Sequence, residues 1–132
     1  MKKILRATAF LFGLFAMLAV SVPSFAADRS DYSQAKFDAA TKAGKPVLIE
    51  VWASWCPVCR AQDPIIQSLM KEPEFAGLTI LTVDFDKEKA LLRTLNVAKQ
   101  STLIAFKGTT ETGRTTGDTS PAGIRALTQK AL

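Results

Sequence analysis

Three stretches of consecutive apolar and β-branched residues predict strands that are covered on both faces. They occupy residues 47–52, 78–85 and 102–107. Around them, apolar residues recur at helical spacing. The predicted helices span residues 35–43, 57–70, 87–95 and 120–131. A turn follows the third strand, so residues 111–116 are expected to pair back as a hairpin, and residues 28–34 to form a brief edge strand at most. This order predicts an α/β domain with a sheet of about four or five strands between helices.

The first segment of the chain has the pattern of a secretory signal peptide. A short basic start precedes an almost purely apolar run at residues 7–22, and small residues follow. We expect cleavage after Ala26, with Ala27 as the alternative position. This divides the chain into a signal peptide at 1–26 and one domain at 27–132, located in the periplasm or secreted. An uncleaved anchor is disfavoured because the apolar run is shorter than the about 20 residues of a spanning helix.

The charge of the chain gives no sign of a nucleic-acid partner. The formal net charge is +5, but three of the 17 basic residues and none of the 12 acidic residues lie in the predicted signal peptide, which leaves +2. The remaining basic residues are scattered rather than clustered, as on an ordinary solvated surface. We therefore expect no nucleic-acid binding.

Cys56 and Cys59 are the only cysteines, and the chain has no histidine. They enclose too short a loop to constrain the unfolded chain much, which favours chemistry over stapling. A tetrahedral zinc site would need unusual carboxylate ligands, and covalent haem attachment needs a histidine where Arg60 stands. We expect no metal and no cofactor beyond a redox-active disulfide. A structural disulfide and copper(I) transfer by the two thiolates are the alternatives.

The position of the cysteines suits thiol-disulfide exchange. Cys56 would begin a helix, where free N–H groups and the helix dipole favour a thiolate, and Pro57 suits the first turn because it lacks an N–H. Cys56 is expected to be the exposed nucleophile that attacks a substrate disulfide. Cys59, one turn on, would be the shielded thiol that resolves the mixed disulfide. The steps also run in reverse, and the intervening Pro57-Val58 does not decide the direction.

The run Trp55-Cys56-Pro57-Val58-Cys59 after a hydrophobic strand resembles the active-site motif of the thioredoxin family. Other matching positions are Trp52, Pro64, Phe106-Lys107 and Gly117. The resemblance begins at about Phe37 and implies a thioredoxin fold, a mixed sheet of about four to five strands flanked by helices on both faces. It also implies that Trp55, Pro57 and Val58 form the environment of the active site. Residues 44–47 are similar to exported members, and to domains that take electrons from a membrane thiol transporter.

Glu50 is the polar exception inside the first predicted strand. The thioredoxin family carries a buried acid at this position, beneath the second cysteine. The resemblance therefore implies that Glu50 accepts the proton of Cys59. Burial in an apolar strand would raise the pKa of the carboxyl and let it exchange a proton near neutral pH. The alternative is that Glu50 merely reaches solvent at a strand end.

Two positions depart from the family pattern. Thr82 stands where the family usually has a lysine near the buried acid, so a cation beside Glu50 must come from elsewhere or be absent. Ser101 stands where the family places a cis-proline facing the active site. Because a cis bond before a residue other than proline costs about 3–4 kcal/mol, we expect a trans Gln100–Ser101 bond and a shifted loop. The Ser101 hydroxyl would then be able to hydrogen-bond the Cys56 thiolate, or Ser101 would have no role.

Together these features predict an exported, monomeric thiol-disulfide oxidoreductase that acts on protein thiols and disulfides. A membrane thiol-disulfide protein is the expected electron donor if the enzyme is a reductase. The alternative is a non-catalytic thioredoxin-fold binding module in which the disulfide is structural. A variant that retains only Cys56 separates the two, because only an enzyme traps substrates as mixed disulfides.

Overall fold

The computed structural model describes residues 26–132. The predicted signal peptide therefore lies outside the described residues, except for Ala26. This part of the chain contains five strands and four α-helices. The strands are β1 (Asp28–Asp31), β2 (Val47–Trp52), β3 (Thr79–Asp84), β4 (Thr102–Lys107) and β5 (Thr110–Thr116). The helices are α1 (Gln34–Lys42), α2 (Pro57–Leu69), α3 (Lys89–Thr94) and α4 (Pro121–Gln129).

The five strands form one mixed sheet in the order β1-β3-β2-β4-β5. β3 pairs in parallel with both β1 and β2, whereas β4 runs antiparallel to β2 and to β5. β2 is therefore the central strand, and five of its six residues are buried. This agrees with its continuous apolar sequence, which is typical of a strand covered on both faces.

The helices cover both faces of the sheet. One face packs against α2 and α4 through a cluster that includes Leu48, Ile66 and Ile124. The other packs against α1 and α3 through a cluster that includes Ile49 and Leu92. Neighbouring residues of β2 thus enter opposite clusters, as the alternation of side chains along a strand requires. The predicted α/β architecture, a sheet between two helical layers, is confirmed.

The ends of the elements depend on local side-chain chemistry. Ser33 and Ser120 cap α1 and α4 by accepting hydrogen bonds from backbone N–H groups of the first turn. Gly44 follows α1 with a φ of +69°, a conformation that glycine adopts without steric cost. A single 3₁₀ turn at Pro73–Phe75, which the sequence pattern did not predict, buries the Phe75 ring. None of the helices within residues 26–132 combines the length and the apolarity needed to cross a membrane.

Candidate active site

A disulfide joins Cys56 and Cys59 at the N-terminus of α2. Cys56 is the N-cap residue of this helix, and its Sγ accepts a hydrogen bond from the Cys59 backbone N–H at 3.0 Å. Pro57 occupies the first turn, where the absence of an N–H removes no helical hydrogen bond. The two cysteines therefore lie where the sequence placed them, with Cys56 on the free N–H groups of the helix start.

The burial of the cysteines differs from the expectation. Cys56 was expected to be exposed, but the side chain is 0% exposed, and Cys59 is 1% exposed. Both pack in a small cluster with Ala53, and Trp52 and Val58 lie against it. The expectation was wrong for the disulfide state because a position at a helix start does not determine what the rest of the fold places over it. Cys56 and Cys59 are equally shielded when they are bonded to each other.

Trp55 presents the largest apolar surface beside the disulfide. Its side chain is 53% exposed, in contrast to the buried cysteines next to it. The indole N–H donates to Asp86 Oδ2 at 2.8 Å, and the ring meets Phe85 edge to face at a centroid distance of 6.4 Å. Trp55 is therefore held in place although it faces solvent, and it offers an apolar contact surface beside the reactive bond.

Glu50 lies in the centre of β2 with 1% of its surface exposed. The prediction left the source of a neighbouring cation open, and the structure supplies Arg29 from β1. Arg29 Nη2 donates to the two carboxylate oxygens of Glu50 at 2.8 and 2.6 Å, while Arg29 Nη1 donates to Asp63 Oδ1 at 2.6 Å. The Thr82 hydroxyl also donates to Glu50, at 3.3 Å. Glu50 is thus a paired buried carboxylate, and not a side chain that reaches solvent at a strand end.

The pKa of Glu50 is raised above the ordinary carboxyl value. Burial is the largest cause because it disfavours the charged form. Arg29 opposes this effect through its charge and its hydrogen bonds, and Thr82 opposes it through a hydrogen bond. The direction agrees with the expectation for a buried carboxyl, and whether Glu50 accepts the proton of Cys59 stays a prediction.

Ser101 adopts a left-handed conformation in the loop before β4. No cis peptide bond occurs in residues 26–132, so the Gln100–Ser101 bond is trans, and the φ of Ser101 is 58°. The Ser101 N–H donates to the Val51 carbonyl oxygen at 2.9 Å, and Cys59 Sγ lies 3.8 Å from that same oxygen. Ser101 therefore lies next to the disulfide. Its hydroxyl donates to the Gln100 carbonyl oxygen, and its role toward a Cys56 thiolate stays a prediction.

The structure adds two residues to the site that the sequence pattern did not single out. Arg29 lies in a short polar strand, and nothing local in the sequence indicates that it reaches Glu50. Gln62 occupies the buried side of α2, where its Nε2 donates to the carbonyl oxygens of Ser101 at 3.2 Å and of Asp118 at 2.9 Å. A polar residue on the otherwise apolar side of a predicted helix was the available signal for Gln62.

Within the described residues, His, Cys, Asp and Glu side chains form no group that could hold a metal ion. The reactive and charged groups described above are the disulfide, the Glu50 carboxylate and the Arg29 guanidinium. A disulfide at a helix N-terminus is suited to thiol-disulfide exchange, in which one sulfur is attacked while the other leaves as a thiolate. Cys59 Sγ lies 3.8 Å from the carbonyl oxygen of Val51, the residue after the buried Glu50.

The described residues form a thioredoxin fold that carries a Cys-x-x-Cys disulfide. The thioredoxin family profile matches residues 29–130. The chain belongs to the thioredoxin family.

Related proteins of known name agree with this assignment. The chain is 32% identical over 79 residues to the thiol:disulfide interchange protein DsbE of Yersinia pestis, a match that covers 58% of this chain and 40% of that protein. It is 30% identical over 76 residues to the thioredoxin of Alicyclobacillus acidocaldarius, covering 58% of this chain and 71% of that one. The chain thus spans well under two thirds of the length of the Yersinia relative.

Solved structures resemble the whole described domain. The crystal structure of Trxlp from Edwardsiella tarda has a TM-score of 0.71 and 38% identity, and the match covers 76% of this chain and 97% of that one. A mutant thioredoxin from Halobacterium salinarum has a TM-score of 0.70 at 20% identity, covering 83% and 95%, and shows the fold alone. The predicted thioredoxin fold is therefore confirmed, and family membership with the Cys56–Cys59 pair supports thiol-disulfide oxidoreductase activity.

Proposed function

We propose that the protein is an exported thiol-disulfide oxidoreductase that reduces disulfides in other proteins. The observation that carries the proposal is the Cys56–Cys59 disulfide at the start of α2, the helix that packs on the face of the sheet that Glu50 shares with Leu48. The basic and then apolar sequence before Ala26 supports export into the periplasm or beyond the cell. The names of the thioredoxin and thiol:disulfide interchange relatives support exchange with protein substrates.

The reaction proceeds in two exchange steps. The Cys56 thiolate attacks one sulfur of a substrate disulfide, the substrate S–S bond breaks, and the other substrate sulfur leaves as a thiolate. Cys59 then gives its proton to Glu50 and attacks Cys56 Sγ. The mixed disulfide breaks, the second substrate thiolate leaves, and the Cys56–Cys59 bond forms. The substrate gains two electrons, and the enzyme loses the same two.

Each turnover leaves the enzyme oxidised, so a dithiol donor must return two electrons to it. We infer that a membrane thiol-disulfide protein is this donor, because an exported domain is separated from the reducing pools inside the cell. The enzyme works as a monomer in this scheme, with Trp55 and the Ser101 loop forming the surface on which a protein substrate lies.

A binding module with a structural disulfide is the second candidate. Two observations favour it: both sulfurs are buried, and the loop at Ser101 has a trans peptide and a left-handed residue where the family has a cis-proline. In that case the Ser101 loop would bind a partner, and the disulfide would never be exchanged.

The reduction potential of the Cys56–Cys59 pair separates these functions. The protein from residue 27 onward would be equilibrated with glutathione buffers, and the oxidised fraction measured by thiol alkylation. A potential near that of thioredoxin, about −270 mV, is the expected result for a reductase. A value near about −120 mV would contradict the direction and indicate an oxidant. A bond that stays closed in every buffer, far below about −300 mV, would favour the structural disulfide.

Single-cysteine variants test the order of the two steps. Cys59→Ser is expected to accumulate mixed disulfides with a disulfide-bonded protein substrate such as insulin, because the resolving thiol is gone. Cys56→Ser, the matched control, is expected to form few, because the remaining thiol is not at the N-cap position, where Cys56 Sγ accepts the Cys59 N–H. Equal trapping by both variants would contradict the assignment of Cys56 as the nucleophile, and no trapping by either would contradict exchange activity.

A further inference from the structure

We propose that Arg29 is a positioning residue for thiol-disulfide exchange. Arg29 holds the Glu50 carboxylate in the orientation and charge state in which it takes up the Cys59 proton. Asp63 competes with Glu50 for the same guanidinium. The proposal rests on the proposed exchange function, and it extends that function to a residue on the edge strand.

The geometry of the three side chains carries the proposal. Arg29 Nη2 contacts both oxygens of Glu50, at 2.8 and 2.6 Å, and Arg29 Nη1 contacts Asp63 at 2.6 Å. The exposed fraction of the side chain is 23% for Arg29, 1% for Glu50 and 29% for Asp63. The Arg29 guanidinium therefore joins the buried carboxylate of Glu50 to the carboxylate of Asp63 near the surface. Each of its two terminal nitrogens donates to a different carboxylate.

The two acids of the cluster lie on the two elements that flank the resolving cysteine, since Cys59 Sγ is 3.8 Å from the carbonyl oxygen of Val51, the residue after Glu50 on β2. Asp63 follows Cys59 by four positions on α2, so the two side chains occupy the same side of the helix, one turn apart. Glu50 shares its face of β2 with Leu48, which packs against α2 through Ile66. Arg29, on the partly exposed side, thus completes a chain of contacts that runs from the edge of the sheet to the layer that holds Cys59.

The charged groups around Glu50 act in opposite directions. Burial raises the pKa of Glu50, Arg29 lowers it, and the charge of Asp63 raises it. Thr82 on β3 adds a neutral hydrogen bond that lowers it, and the register partner of Glu50 on β4 is the apolar Leu103. Without Arg29, burial would raise the pKa of Glu50 further, and a carboxyl that holds its proton has no site for another one. Arg29 therefore keeps Glu50 available as a base.

The chemical step is balanced on these residues. The Cys59 S–H bond breaks and its proton goes to a Glu50 oxygen, while Arg29 stays charged throughout. The Cys59 thiolate then attacks Cys56 Sγ in the mixed disulfide, and the substrate sulfur leaves as a thiolate. Glu50 afterwards gives its proton to solvent, and the ion pair with Arg29 is restored.

The test compares Arg29→Gln with Asp63→Asn. The pH dependence of insulin-disulfide reduction would be measured for both, and the Glu50 carboxyl would be titrated by ¹³C NMR. Arg29→Gln is expected to move both the acidic limb of the pH–rate profile and the Glu50 titration to higher pH by about one unit. At a pH on the acidic side of the limb, this shift corresponds to a rate about tenfold lower than that of wild type. Asp63→Asn is expected to move both to lower pH, and Arg29→Lys to restore most of the wild-type profile.

Arg125→Gln is the matched control. Arg125 also bridges two acids, Glu72 and Glu74, but on the surface where α4 meets the turn after α2. Its loss is expected to leave the profile unchanged. A general loss of structural order cannot by itself shift the pH profile in opposite directions in the two variants. The proposal would be overturned if Arg29→Gln and Asp63→Asn shifted the profile in the same direction, or if neither shifted it. A wild-type protein that does not reduce insulin would contradict the proposed function, whereas an unchanged Glu50 titration in Arg29→Gln would contradict the present inference.

Discussion

The side-chain amide of Gln62 donates to the carbonyl oxygen of Ser101 at 3.2 Å, and so joins the buried side of α2 to the loop beside the disulfide. The same nitrogen donates to the Asp118 carbonyl oxygen at 2.9 Å, on the segment that leads into α4. Gln62 is 1% exposed, and its Oε1 has no hydrogen-bond partner within the described part of the chain. A buried polar side chain thus joins two loops to α2.

We predict that Gln62→Leu lowers the free energy of unfolding by about 1–3 kcal/mol, because the Asp118 carbonyl loses its side-chain donor inside the protein. The Ser101 carbonyl keeps the Gly117 N–H as a donor. The Ser101 loop is expected to become mobile, which raises KM for a protein substrate more than it lowers kcat. Urea unfolding and insulin-reduction kinetics measure both effects.

Gln129→Leu is the control for the Gln62 variant, since Gln129 donates to Glu74 on the exposed surface. It is expected to change stability by less than about 0.5 kcal/mol and to leave KM unaltered. An equal KM in wild type and Gln62→Leu would contradict a role of Gln62 in holding the loop.

Ser101→Gly is predicted to be more stable than Ser101→Ala by about 1–2 kcal/mol. The φ of 58° at this position is sterically unfavourable by about that free energy for a residue with a Cβ, whereas glycine adopts it with little strain. Thermal unfolding of the two variants measures the difference. Asn96→Gly is the control: Asn96 also has a positive φ, of 52°, but asparagine tolerates it, so the gain there should be smaller. Equal stability of the two Ser101 variants would contradict the prediction.

The Ser101→Ala variant also tests the predicted contact between the hydroxyl and the Cys56 thiolate. If that contact forms on reduction, Ser101→Ala is expected to shift the pH midpoint of Cys56 alkylation by iodoacetamide to a higher value. An unchanged midpoint would contradict it, and the Ser101 hydroxyl would keep only its bond to the Gln100 carbonyl.

Glu50 should make the stability of the protein fall as pH rises. Its pKa is raised in the folded protein, chiefly by burial, so the folded state binds this proton more tightly than the unfolded state does. The stabilisation is complete below the ordinary carboxyl pKa of about 4.3 and is lost as pH rises through the folded value. The unfolding free energy of wild type minus that of Glu50→Gln is therefore expected to decrease as pH rises above about 4.

Glu111→Gln provides a control of opposite sign. A hydrogen bond from Arg114 lowers the pKa of Glu111, so this group stabilises the fold at high pH and loses its effect as pH falls. The difference between wild type and Glu111→Gln should then increase with pH. A pH-independent difference for Glu50→Gln, measured by urea unfolding at several pH values, would contradict the direction given for Glu50.

Asp86→Ala is predicted to release the Trp55 ring, because the indole N–H loses its acceptor at 2.8 Å. The fluorescence anisotropy of Trp55, measured in a Trp52→Phe background, should fall, whereas stability should change by less than about 1.5 kcal/mol because the bond is exposed. Asp86→Asn retains an acceptor oxygen and should behave as wild type. An unchanged anisotropy in Asp86→Ala would show that the contact with Phe85 is sufficient to hold the ring.

Local sequence patterns predicted the elements of the fold because those elements are locally encoded. The apolar run of β2 marked a strand covered on both faces, and Pro57 with the two cysteines marked the start of α2. The position of Glu50 inside an apolar strand was enough to indicate a buried acid. Each of these signals lies within a few residues of the feature that it predicts.

The remaining parts of the site depend on contacts between distant segments. Arg29 reaches Glu50 only because β1 pairs with β3 and β3 with β2, which no local pattern indicates. The burial of Cys56 likewise depends in part on Phe85, which comes from the segment after β3. Patterns of hydrophobicity give the faces of the elements, but they do not give the neighbours of one particular side chain.

β1 contains four residues and is joined to the sheet through β3 alone. Arg29 therefore depends on a short edge ladder, only a few residues beyond the predicted cleavage site at Ala26. A protease that trimmed the N-terminus as far as Asp31 would remove the arginine and leave Glu50, Cys56 and Cys59 in place. Trimming of the N-terminus would therefore alter the proton transfer proposed for Glu50 and Cys59, which lie on other elements, and a heterogeneously trimmed sample would be a mixture of proteins with different pH–rate profiles.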